Sequence, residues 1–277
     1  ETHQQNMPKE VYSYIWGTLP SGAHKMVSEQ AHRGWQVVLS IPDVLYFDFP
    51  YEVDPKEPGY NWASRRIDSR NVFNFMPDNL PIHAEFRVDT LGKPFVIDDR
   101  VQKNTEGEVT HRPLPPGYQV HGIQGQLWSE TVRSEQQAEY MIFPRILALA
   151  ERAWSKPQWQ VPYNFNGALY NIDSGVFTAQ LKQQRDKAWQ AFANTLAQKE
   201  LLKLDKLGVF YRLPTLGAKI INGQLLLNSS LPGLAMEYQT KDASWQRYAR
   251  PVTVTPPVNV RARSANLTRA GRTLIVE

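Results

Sequence analysis

The order of apolar and polar positions divides the chain into alternating strands and helices, followed by a region of strands and turns alone. The stretch VYSYIWG, residues 11–17, predicts a short strand ending at a glycine. A helical pattern over 23–33 follows and closes at Gly34, a residue suited to a left-handed helix stop. WQVVLSI, residues 35–41, is an almost unbroken apolar run rich in β-branched residues, which predicts a strand covered on both faces. From about 49 to 120 the chain is rich in Pro, Asn, Asp and Gly and shows little periodicity. This predicts a long loop insertion, and loops of that length usually serve function. GIQGQLW, residues 122–128, predicts the next strand.

The helix after it carries the strongest signal. Ser134 and Gln137 have capping-box spacing, and Tyr140, Phe143, Leu147, Ala150 and Trp154 form one apolar stripe. Pro144 predicts a kink within it. A further amphipathic helix is expected over 177–204. Strand alternating with helix in this way describes parallel βα units, an α/β fold. Beyond a boundary near Leu207 the texture changes to short strands: GVFYRLP, AKIINGQLLLNSS, MEYQT, VNVRARSA and TLIVE. With Asn222-Gly223 as a hairpin signal, residues 207–277 predict a small β-sandwich.

Composition narrows the classes. The chain has 277 residues, no cysteine and 11% aromatic content. Disulfide and thiol chemistry is therefore excluded, and no apolar run approaches the ~18 residues of a membrane span. The six histidines show no ligand-like spacing, so no metal or other cofactor is expected. Residues 207–277 hold nine Lys+Arg against three Asp+Glu, but the arginines are scattered. That reads as a solvated basic surface rather than a nucleic-acid interface.

Two strand ends hold the candidate chemistry. Tyr46 and Asp48 follow the 35–41 strand, and Trp128 and Glu130 end the 122–128 strand, each pair spaced i, i+2. In an extended segment such pairs share a face, and neighbouring strands would bring all four together. Trp16, at the end of the first strand, would join them, with Trp62 on the long loop as a further platform. Aromatic faces beside carboxylates suit a sugar: the ring stacks the apolar face and the carboxylates take the hydroxyls. Core packing is the competing reading for each tryptophan.

The segments GIQGQLWSETVRSEQQAEYMIFPRILALAERAWSKP, VLYFDFPYE, GYNWASR and VFNFMPDNLP resemble bacterial chitobiases, the β-N-acetylhexosaminidases of glycoside hydrolase family 20. The resemblance covers about 9–157, and 208–277 resembles the immunoglobulin-like C-terminal domain of the same enzymes. It implies that residues 1–206 are the C-terminal part of a (β/α)8 barrel and 207–277 an immunoglobulin-like domain. It also implies removal of terminal N-acetylglucosamine from chitobiose and chitin oligosaccharides, in the periplasm or outside the cell. By resemblance, Trp16 and Trp128 line the pocket of the terminal sugar and Tyr46 donates to its acetamide oxygen. Asp48 and Glu130 hold its outer hydroxyls, and Trp62 stacks the next sugar.

The family's substrate-assisted mechanism also uses an adjacent Asp-Glu pair, and no Asp-Glu dipeptide occurs in this chain. A complete barrel needs about 250 residues, so the chain reads as the C-terminal part of a larger enzyme whose N-terminal part is its first partner. Two other readings stay open: a two-carboxylate glycosidase using Asp48 and Glu130, and a non-catalytic sugar-binding module.

Overall fold

The computed structural model describes residues 10–241 and 243–277. The described residues form two compact units, one within 10–133 and 145–185, the other within 134–144, 186–241 and 243–277.

Strand β1 (Tyr12–Ile15) leads into helix α1 (Ala23–His32), which Gly34 ends with φ 78° as its sequence predicts. Strand β2 (Gln36–Leu39) then pairs parallel with β1, Val37 and Leu39 wholly buried. The chain does not run straight from β2 into the site. Residues Pro42–Leu45 wind into one helical turn, α2, with Pro42 at its first position, where a proline nitrogen sacrifices no hydrogen bond.

The 49–120 segment is more regular than its composition suggests. Helix α3 (Ser69–Phe73) starts at a true capping box, Asp68 and Asn71 bonding each other's backbone. A 3-10 turn at Pro81–Glu85 and the short strands β3 (Ile97–Asp98), β4 (Gln102–Lys103) and β5 (Val109–His111) follow. Strand β6 (Gly122–Ile123) returns beside β2, completing a parallel sheet of order β1-β2-β6. It is shorter than the predicted 122–128 run.

The single kinked helix expected around Pro144 is two helices, α4 (Glu135–Ile142) and α5 (Arg145–Trp154), separated by an extended Phe143. Pro144 excludes the helical conformation for the residue before it, and that break is complete. Ser134 caps α4 by accepting from the Gln137 backbone at 3.1 Å. On α5 the buried positions are Arg145, Ala148 and Arg152, while Trp154 is 91% exposed, so the predicted apolar stripe is not the buried face. Strand β7 (Leu169–Tyr170) pairs antiparallel with β3.

Helix α6 (Ala179–Thr195), a π turn and α7 (Leu201–Lys206) fill the predicted 177–204 helix, and the division between the units falls within α6. The rest of the second unit is antiparallel. Strands β8 (Gly217–Ile221) and β9 (Gln224–Asn228) form a hairpin through Asn222 (φ 49°) and Gly223 (φ 74°), the pair of left-handed residues its turn requires. Strand β10 (Ala235–Gln239), β11 (Gln246–Tyr248), β12 (Val252–Thr253), β13 (Val258–Arg263) and β14 (Leu274–Val276) complete two sheets, ordered β11-β10-β13-β14 and β12-β9-β8. Val258, Val260 and Ala262 alternate inward along β13. GVFYRLP is not a strand; its backbone donates instead to the Glu139 carboxylate and the Phe143 carbonyl. Among the described residues no helix is long and apolar enough to cross a membrane.

Candidate active site

The site is built in the first unit, just past the C-terminal ends of the three parallel strands. The α2 turn drops Tyr46 into a single parallel bridge with Gln126, closed by Gln126 N–H to Leu45 O at 2.8 Å. Tyr46 and Asp48 therefore lie in a loop beyond a helical turn, and Trp128 and Glu130 in irregular chain beyond β6. The expectation that both pairs sit on continuous strands is corrected, yet the Tyr46–Gln126 bridge holds the two segments side by side and the residues still converge.

The rings form one contiguous group. Trp16 meets Trp128 edge to face at 5.6 Å, Trp128 lies 6.0 Å from Tyr46, and Tyr46 meets Trp62 at 6.0 Å. Trp62 also packs edge-on to Phe49 at 5.4 Å, so the long loop brings it against the other rings rather than standing apart. Tyr46 is buried, whereas Trp16 and Trp62 keep 53% and 58% of their surface exposed. Indoles so exposed are not packed core.

Beneath these rings lies Asp48, 2% exposed. Burial pushes its carboxyl up from the ordinary value; backbone hydrogen bonds at Asp48 and Trp128 and the Arg145 charge oppose this, and the nearby Glu130 charge adds to it. Its Oδ1 has no hydrogen-bond partner. A buried acceptor left open costs free energy unless a donor reaches it. Burial likewise raises the Tyr46 phenol, opposed by a hydrogen bond to the Trp128 side chain. The indole N–H can only donate, so the phenol oxygen accepts it and the phenolic proton is left to point elsewhere. Glu130 is exposed at the rim.

Two supports escaped the sequence reading. Arg145, fully buried, donates to the carbonyls of Phe49 (2.9 Å), Ile67 (2.7 Å) and Phe47, and its guanidinium stacks 4.1 Å over Tyr51. It holds the loop around Asp48 from behind. An arginine inside an apolar helical stripe was the available signal. Gly59 sits at φ 124° against the same loop, and a Cβ there would fall 2.2 Å from the Asp48 carbonyl. Tyr60 N–H donates to that carbonyl at 3.1 Å, docking the Trp62 loop.

Comparison with known proteins gives the family. Residues 1–157 match the model of the glycosyl hydrolase family 20 catalytic domain, and residues 200–273 that of the chitobiase/beta-hexosaminidase C-terminal domain. The chain is 40% identical over 261 residues to an N,N'-diacetylchitobiase of Vibrio harveyi, covering 93% of this chain and 27% of that protein. It is 39% identical over 273 residues to a beta-hexosaminidase of Vibrio vulnificus, covering 97% and 30%. It is 46% identical over 191 residues to beta-hexosaminidase B of Pseudoalteromonas piscicida, covering 69% and 23%. The chain thus spans less than a third of the length of each of these relatives. With a family model matched over more than half its residues and a C-terminal domain of the same enzymes behind it, the chain belongs to glycosyl hydrolase family 20.

Proposed function

We propose that the chain supplies part of the sugar-binding site of a β-N-acetylhexosaminidase that releases terminal N-acetylglucosamine from chitobiose and chitin oligosaccharides. The observation that carries this is Asp48: a buried carboxylate with an open oxygen beneath a wall of partly exposed indoles. In this reading a pyranose lies against Trp16 and Trp128, its hydroxyls donating to Asp48 and Glu130. The Tyr46 O–H donates to the acetamide oxygen, and Trp62 stacks the next sugar on the leaving-group side.

The acetamide oxygen then attacks the anomeric carbon. The glycosidic bond breaks as an oxazolinium forms, and water later opens that ring with net retention. A general acid must protonate the leaving oxygen. No Asp-Glu dipeptide exists here to supply it, so residues 1–206 act as the C-terminal part of a (β/α)8 barrel within a longer enzyme, and 207–277 as its immunoglobulin-like domain. Action on external or imported chitin fragments places it in the periplasm or outside the cell.

The two-carboxylate alternative, with Asp48 and Glu130 as the catalytic pair, differs in one chemical demand. Substrate assistance needs the acetamide; a carboxylate pair does not. The complete enzyme is expected to hydrolyse an aryl N-acetylglucosaminide while leaving the matching aryl glucoside, which carries a 2-hydroxyl, essentially untouched. Comparable kcat/KM on the two substrates would overturn the assisted mechanism.

A further inference from the structure

The first unit contains a second cluster of chemically capable side chains, far apart in sequence. A ring nitrogen of His24, one of His111 and a carboxylate oxygen of Asp99 lie within 4.8 Å of one another, and all three residues are buried. His24 stands in the first turn of α1, Asp99 directly after β3, and His111 at the end of β5.

Part of this cluster is an ordinary buried pair. His111 Nε2 lies 3.0 Å from Asp99 Oδ1, and the Tyr163 hydroxyl donates to Asp99 Oδ2 while accepting from Leu114 N–H at 3.0 Å. His24 is what the pair leaves unexplained. Its Nε2 lies 3.3 Å from the Asp98 carbonyl, which calls for the proton on Nε2, and Nδ1 has no partner. A neutral imidazole with its proton on Nε2 presents a bare lone pair at Nδ1. The rings of His24 and His111 meet edge to face at 5.4 Å. A small space of about 10 Å³, bordered by His24, Asp99 and Tyr163 but not by His111, adjoins them. That is about the room of one water-sized particle. The buried lone pair at His24 Nδ1 costs free energy unless a donor or a cation reaches it.

We propose that His24, Asp99 and His111 form a zinc site. Two imidazoles and a carboxylate are a common zinc donor set, with a water completing the tetrahedron. Bonds of about 2.0–2.1 Å to zinc place neighbouring donors roughly 3.3 Å apart. The His111–Asp99 separation is already close to that, and His24 closes in by at most about 1.5 Å. Binding through His111 Nε2 requires that nitrogen to give up the proton it shares with Asp99, the neutral ring then carrying its proton on Nδ1. Tyr163 then orients the Asp99 carboxylate through its second oxygen, the usual role of a hydrogen bond behind a ligand. The ion would fasten α1 to the β3–β5 region. Two contacts already join these, Ser28 Oγ to Arg112 O and His32 to Pro113 O at 2.9 Å, on the same helical face as His24.

The test uses the complete protein, stripped with a chelator and titrated with Zn²⁺ alone. One tight equivalent per chain is expected, with a rise in Tm of about 5 °C in excess zinc. Co²⁺ in its place should show the visible bands of a tetrahedral site, which His24→Gln and His111→Gln abolish and Tyr163→Phe weakens by about 10–100-fold in affinity. No stoichiometric uptake by the wild type, or uptake unchanged in both histidine variants, would overturn the proposal. If those variants fail to fold, crystals of the wild type soaked in zinc decide it by anomalous scattering: a peak bonded to His24 and His111 supports the site, and its absence there rejects it.

Discussion

Tyr46 shows how one atom separates the readings of the site. A hydrogen bond from the Trp128 indole, which can only donate, still leaves the Tyr46 O–H able to donate to another acceptor. Donors held ready where charge develops contribute most in the transition state, and losing one typically costs on the order of 10²–10³ in kcat. Tyr46→Phe in the complete enzyme is expected to lower kcat by about that factor with a smaller change in KM; near-normal kcat would remove Tyr46 from the mechanism. Asp43 gives a second test at this scale. It is buried, accepts from Leu19 N–H at 2.8 Å, and burial raises its pKa to about 6. Since the folded value exceeds the unfolded one, its stabilising contribution is fully present below about pH 4 and is lost as pH rises through about 6. A shift of this size corresponds to roughly 3 kcal/mol. Asp43→Asn keeps the acceptor but does not ionise, so its Tm should gain on the wild type between pH 4 and 7. Parallel Tm curves would show that Asp43 titrates normally.

Among the elements, the α2 turn and the loop around Asp48 matter most, because they decide where the site residues go. Arg145 holds that loop from one side and Gly59 touches it from the other. A methyl at position 59 would collide with the Asp48 carbonyl and strain a backbone at φ 124°, a conformation that costs other residues about 1–3 kcal/mol. Gly59→Ala should therefore move the Trp62 loop. In the proposed reading, where only the disaccharide places a second sugar on Trp62, the expected result is a KM for chitobiose raised several-fold more than the KM for an aryl N-acetylglucosaminide. An equal rise on both substrates would sink the leaving-group assignment of Trp62 and favour a structural role. Arg145→Met should destabilise the first unit by about 3–5 kcal/mol, because three carbonyls lose a buried cationic donor at once. Chemical denaturation measures it.

For the molecule as a whole, β1 is an edge of its sheet, and Tyr12, Tyr14 and Trp16 stand about half exposed along one side of it. Open strand edges bearing large apolar side chains are association-prone. Residues 1–277 expressed alone are expected to be poorly soluble and to release no product from an aryl N-acetylglucosaminide. Turnover by a clean preparation of this chain would make Asp48 or Glu130 the acid and decide for the two-carboxylate mechanism.

The local pattern by itself determined much of this protein. The stop at Gly34, the parallel β1 and β2 runs, the Asn222-Gly223 turn and the inward alternation of β13 follow from backbone conformation and side-chain periodicity, which neighbouring residues already encode. Type and spacing also singled out the six aromatic and acidic residues that the structure brings near one another. Their convergence was not legible for the stated reason: continuous strands were expected, whereas a helical turn and one bridge to Gln126 do the placing. Nor could sequence show that Arg145 replaces the apolar stripe as the buried face of α5, or that His24, Asp99 and His111 meet. Each depends on contacts between residues tens of positions apart. Only the closed tertiary structure, through burial and the pairing of polar groups it enforces, brings those residues together.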